Sequence, residues 1–122
     1  MKTIVAVESF DDLRNRSLAR ARLLDKGERI KPERRITFET PEDMLACLTP
    51  QRLRLIEATR QKPQSVTDLA VSVARNRSSV QRDITVLRKA GLLRLSKRSN
   101  PGHGRVQIVE AIAEHFTLTA VV

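Results

Sequence analysis

The sequence predicts an α+β fold, and three observations carry that reading. Short capped helical runs follow one another between residues 40 and 90. The last of them ends in Gly91 and is followed at once by two β-prone runs around a polar turn, "LLRLSKRSNPGHGRVQIV". A third helix leading directly into a two-stranded ribbon is the plan of a winged helix-turn-helix. On either side lie an N-terminal strand and helix and a β-prone C-terminal tail.

Taken in order, "TIVAV" (residues 3 to 7) reads as a short strand. Ser9 and Asp12 have the spacing of a capping box, which predicts a helix from about residue 10 to 25 with Phe10, Leu13, Ser17, Ala21 and Leu24 on a semi-apolar face. Gly27 is a suitable stop. "RRITFET" alternates as a strand with Ile36 and Phe38 inward. Thr40 before Pro41, and Thr49 before Pro50, each place a capping hydroxyl ahead of a proline that fits the first helical position. The second of these helices turns Leu53, Ile56 and Leu55 toward a core. Ser65 or Thr67 caps the next, with Leu69, Ala70 and Val73 buried. "ARN" makes a tight break before a helix from about Arg77 to Ala90, whose Val80, Ile84 and Leu87 point inward and whose exit is Gly91. The tail "FTLTAVV" is suited to an outer strand that invites pairing with another subunit. These elements divide the chain into an N-terminal extension, residues 1–35, for dimerisation or partner binding, and a winged-helix domain, residues 36–122.

Charge points to the partner. The net charge of +9 is concentrated: residues 50 to 109 hold 13 Lys and Arg against 3 Asp and Glu, whereas residues 1 to 49 hold 10 against 9. Such an excess favours a polyanion, through phosphate neutralisation and steering. On the third helix the exposed side offers Arg77, Ser78, Ser79, Gln81, Arg82 and Thr85. Arginine and glutamine make paired contacts with purine edges, so Gln81, Arg82 and Ser78 are assigned to base edges. Arg77 and Ser79, nearer the helix start, suit phosphate. At the wing tip Lys97, Arg98, His103 and Arg105 are the groups that meet the flanking backbone or a minor groove.

From about Ile36 to Val109 the chain resembles a family of small predicted transcriptional regulators of bacteria and archaea, related in plan to the MarR and ArsR winged-helix groups. The "F-E-x-P-E-D" lead-in, the "L-T-P-x-R" helix start and "V-x-R-D-I-x-x-L-x-x-A-G-L-L" carry the resemblance. It implies DNA contacts on the third helix, and for some members a second role as an antitoxin that silences a neighbouring toxin protein.

The expected function is therefore a sequence-specific regulator acting without chemistry on double-stranded DNA. A homodimer would set two third helices about 34 Å apart on a near-palindrome, using Leu13, Leu18, Ala21 and Leu24 or Phe116 and Leu118. The alternatives are an antitoxin and, ranked lower, an RNA-binding or protein-docking winged helix. RNA recognition by stacking wants exposed aromatics, and the chain has only Phe10, Phe38 and Phe116, each assigned to core packing. No nucleophile, base or phosphate loop stands at a demanding spacing, so no enzyme is expected. Cys47, His103 and His115 lie far apart in sequence, and no metal or cofactor is expected. The absence of an apolar run of about 20 residues makes a cytoplasmic protein the expectation.

Overall fold

The computed structural model describes residues 2–30, 32–100, 102 and 104–121. The chain divides into two units, Met1–Ala46 with His115–Val122, and Cys47–Glu114.

In the first unit β1 (Lys2–Val7) runs into α1 (Phe10–Asp25) and on to β2 (Glu33–Phe38). β1 lies between β2 and β6 (Phe116–Thr119), parallel to both, with Val5 opposite Ile36 on one side and Leu118 on the other. A central parallel strand buries both faces. That is why Ile4 to Val7 is continuously apolar rather than alternating, and Thr3, Ile4, Val5 and Ala6 are all buried. This pairing moves the expected boundary at residue 35. β2 belongs with β1, and the tail returns as the outer strand of the same sheet, so the winged-helix unit is narrower than 36–122 at both ends.

α1 begins where its capping residue predicts: Ser9 Oγ accepts from the Asp12 amide at 3.2 Å. It ends on Gly27 at φ +76°, with Gly27 N donating to Leu24 O and Glu28 N to Leu23 O, the paired closure that a left-handed glycine permits. Its packing face differs from the apolar face expected. Phe10 is 76% exposed and Leu24 61%, while Leu13, Arg16 and Arg20 are half-buried. Charge holds the helix instead. Glu8 receives Arg16 Nε at 2.9 Å and Arg35 Nη1 at 3.7 Å, and Glu33 receives Arg35 Nη2 at 3.3 Å and Arg20 Nη1 at 3.8 Å. The alternating ladder rotates the basic side of α1 toward β2. Phe10 is consequently not a core residue. α2 (Pro41–Cys47) follows, with Thr40 Oγ1 accepting from the Asp43 amide and Met44 buried.

The second unit is the winged helix. α3 (Pro50–Gln61), α4 (Val66–Ser72) and α5 (Arg77–Lys89) precede the hairpin of β4 (Leu93–Asn100) and β5 (Gly104–Ala111). A two-residue strand, β3 (Gln64–Ser65), pairs antiparallel with β5 and completes a sheet of order β3-β5-β4. The core is Leu55, Ile56, Leu69, Val80, Ile84, Leu87, Leu92, Leu93 and Val109, with Thr59 buried and its hydroxyl donating to Leu55 O at 2.8 Å. Leu53, expected inward, is exposed, because the buried residues 55, 56 and 59 set a helical phase that points residue 53 outward. Thr49 and Ser65 cap α3 and α4 as their positions suggest.

Candidate nucleic-acid interface

α5 is fixed at both ends and along one side. Asn76 Oδ1 caps it, accepting from the Ser78 amide at 2.8 Å and from the Ser78 hydroxyl. The exit repeats the paired closure, with Gly91 N donating to Arg88 O and Leu92 N to Leu87 O, at Gly91 φ +84°. Val80, Ile84 and Leu87 have no exposed surface, so the helix can neither slide nor roll without opening the core.

The turn that sets α5 against α4 uses the same device without glycine. Ala74, at φ +53°, donates to Val71 O, and Arg75 N donates to Ala70 O. An alanine in left-handed conformation costs about 1 kcal/mol relative to glycine. The turn is held there by its neighbours, and Arg75 is the first of them. Asp83, on α5, accepts from Arg75 Nη2 through Oδ2 at 2.7 Å and from Arg52 Nε on α3 through Oδ1 at 3.0 Å. Arg52 also donates Nη1 to Cys47 O at 3.1 Å. One carboxylate thus ties together α3, the turn and α5. Burial raises the Asp83 carboxyl, but the hydrogen bonds and charges of Arg75 and Arg52 together outweigh it and hold the group below the usual carboxylate range.

With the core side occupied, the opposite side of α5 presents Ser78, Arg82, Thr85 and Lys89, flanked by Gln81 on one edge and Ser79 on the other. Arg77 and Arg82 are exposed; Gln81, Ser79 and Thr85 are half-buried. Two open hollows border this face. One, of about 490 Å3, is lined by Asn76, Arg77, Ser78 and Gln81. The other, of about 560 Å3, includes Arg52, Arg75, Ser79, Gln81, Arg82 and Thr85 in its lining. The six residues expected on the third helix all line one or the other of these hollows, three of them half-buried, but two of their hydroxyls have other work. Ser78 donates into its own cap, and Thr85 Oγ1 donates to Gln81 O at 3.0 Å. Each oxygen is left mainly as an acceptor.

The wing separates its basic residues. Residues directly opposite in an antiparallel pair share a face, and the register pairs Lys97 with Gln107, Arg98 with Val106 and Ser99 with Arg105. Lys97, Ser99, Gln107 and Arg105 continue the face that carries Leu93, Leu95 and Val109 in the core. Arg98 lies on the reverse face with Arg94, Ser96 and Glu110. There Glu110 accepts from Ser96 Oγ at 3.0 Å and pairs with Arg94 Nη2 at 3.2 Å and Arg98 Nη2 at 3.6 Å. The Ser96 and Arg94 hydrogen bonds hold the Glu110 carboxyl below its ordinary range. Lys97 and Arg105 thus stay together, while Arg98 is turned from them. His103 lies outside the described residues.

Sequence reading missed Asn76, Asp83 with its two arginines, and Lys89. Asn76 carried a signal, an Asn immediately before a helical run. The Arg52–Asp83 pair spans 31 positions and has none. Charge follows the division of the chain: the winged-helix unit holds 13 Lys and Arg against 5 Asp and Glu, and the other unit 10 against 9. Among the described residues, no His, Cys, Asp and Glu side chains group to hold a metal ion, and no helix is long and apolar enough to cross a membrane. Burial pushes the Cys47 thiol up, against the charge of Arg52.

Residues 47–109, just over half of the chain and almost the whole second unit, match the HVO_A0114 family. No curated protein matches. Among solved structures, a possible transcriptional regulator from Methanosarcina mazei Go1 is 22% identical, with 58% of this chain and 63% of that chain covered and a TM-score of 0.49. The homodimeric winged helix-turn-helix DNA-binding domain of a possible ArsR-family regulator from Mycobacterium bovis is 18% identical, covering 54% and 56%, with a TM-score of 0.44. The zinc-responsive MarR family member ZitR of Lactococcus lactis is 14% identical, covering 81% and 65%, with a TM-score of 0.48. The chain spans less than two thirds of each of these solved chains.

Proposed function

The chain belongs to the HVO_A0114 family, and from that premise and its winged-helix unit we propose a sequence-specific DNA-binding transcriptional regulator, cytoplasmic and without catalytic chemistry. The observation that carries this reading is the outer strip of α5. It is pinned from behind by Val80, Ile84 and Leu87, capped at both ends, and presents Arg77, Gln81 and Arg82 with Ser78, Ser79 and Thr85. In the major groove, Gln81 and Arg82 read purine edges, with Ser78 as a short acceptor contact. Arg77 and Ser79 meet phosphate at the helix start. Lys97 and Arg105, on one face of the wing, meet the flanking backbone; Arg98 joins them only after leaving Glu110.

Repression by occlusion and a homodimer on a near-palindrome complete the proposal. The exposed Leu18 and Leu24 of α1, with Phe10 beside them in the same helix, and Leu118 of β6 offer apolar surface for the dimer contact. None of the described residues favours a toxin protein over DNA. Among the described aromatics, none lies in the winged-helix unit, which disfavours RNA stacking.

The test is to retain sheared DNA of the source organism on the protein at several salt concentrations and to sequence what stays. Enrichment of one motif, with discrimination lost in Gln81→Ala and Arg82→Ala more than nonspecific affinity, is the expected result. Retention without any motif at every salt concentration would sink specific regulation.

A further inference from the structure

The hollow on the Ser79 side of α5 contains more than base reading requires. Arg52, Arg75, Arg82 and Asp83 line it together with Ser79, three guanidinium groups against one carboxylate. Both oxygens of Asp83 are already engaged, one by Arg52 and one by Arg75, so the carboxylate orients these arginines and leaves the hollow an excess of positive charge. Arg75 then has a donor to spare. Its Nη1 is buried and meets no acceptor, the one side-chain nitrogen or oxygen of that kind among the described residues. A buried guanidinium donor without a partner is an unfavourable state that an anion relieves.

We propose that this hollow is a phosphate seat. When the Arg75 side chain opens toward the hollow, its Nη1 joins the Ser79 hydroxyl in donating to the phosphate oxygens; Arg52 and Arg82 supply the surrounding field, and Asp83 is the positioning residue that holds Arg75 at the edge of the seat. A tetrahedral dianion or a diester fits the donor set, and neither needs a metal. The phosphate comes either from the DNA backbone or from a free phosphorylated small molecule. The first source rests on the DNA-binding reading above and deepens it, since it would fix the register of α5 in the groove.

Two measurements on the full chain decide the matter. In the first, inorganic phosphate is titrated against chloride at constant ionic strength while the arginine side-chain resonances are followed by NMR. A saturable shift of Arg75, weakened several-fold in Ser79→Ala, is expected. Ser79→Ala leaves the Asp83 bonds in place and keeps the test valid if an Arg75 variant unfolds. The second is the salt dependence of duplex binding. Removing one phosphate contact by Arg75→Gln should reduce the slope of log K against log salt by about 0.9.

A phosphate shift with a reduced slope assigns the seat to the DNA backbone. A phosphate shift with an unchanged slope assigns it to a free phosphorylated ligand. Absence of a saturable Arg75 shift overturns the proposal, whatever the slope does. Failure of the wild-type chain to bind any duplex refutes the DNA reading alone, because the phosphate titration still decides the seat.

Discussion

Asp83 accepts Arg75 at 2.7 Å across the turn that joins α4 to α5, and the same carboxylate accepts Arg52 from α3 at 3.0 Å. The three side chains are 14%, 19% and 21% exposed. Removing one partner leaves charges in a partly dry site, which costs 3–5 kcal/mol when burial is complete. Discounted for this residual exposure, Asp83→Ala should destabilise the winged-helix unit by about 1–3 kcal/mol. Urea denaturation of the two proteins measures it, and an unchanged midpoint would show the clamp to be idle.

The same pair sets a pH dependence. The Asp83 carboxyl is held below its ordinary range in the folded chain, so its contribution is complete above the unfolded carboxylate pKa and is lost as the pH falls through the lower folded value. Thermal stability should therefore hold across neutral pH and decline below the ordinary carboxylate range. Asp83→Asn should flatten part of that acid limb while lowering the neutral plateau.

Ala74 occupies a left-handed position at φ +53°. Ala74→Gly should stabilise the unit by roughly 0.5–1 kcal/mol, since the relief of steric cost exceeds the entropy that glycine adds to the unfolded chain. Calorimetry would register a rise of a few degrees. A fall in melting temperature would mean that the turn geometry is unstrained.

Asn76 supplies the only side-chain cap described for α5. Asn76→Ala should cost about 1 kcal/mol and also release the Ser78 hydroxyl from its bond to Asn76. Hydrogen exchange at the Ser78 amide reports the first effect directly, through loss of protection.

Glu110 competes with any phosphate for Arg94 and Arg98. Glu110→Gln should raise duplex affinity at low salt by roughly two- to five-fold, the range of an exposed pair, and the gain should shrink as salt screens it. An affinity change that ignores salt would place Arg98 away from DNA.

How much of this was readable beforehand depends on how local each feature is. Ser9, Thr40, Thr49 and Ser65 cap helices that begin where those residues stand. Val80, Ile84 and Leu87 are buried at the spacing that one helix imposes. Gly27 and Gly91 end helices because only a residue tolerant of positive φ closes the last turn without strain. Each is a decision taken within a few residues, where the backbone has few alternatives, so composition and spacing suffice to establish the three helices, the hairpin and the basic strip of α5. Features joined across the chain were not available in that way. β6 pairs with β1 across more than a hundred positions, which takes β2 and the tail out of the winged-helix unit. α1 turns its arginines rather than Phe10 and Leu24 inward because Glu8, just past the end of β1, and Glu33, on β2, meet them. Lys97 and Arg98 part by the alternation of one strand, but only the register puts Arg105 with Lys97 and Glu110 with Arg98, and Asp83 gains its role only when Arg52, 31 residues away, is folded against it. Local sterics and periodicity act along the chain and can be read from it; pairing register and ion-pair partners are chosen by which surfaces fold together.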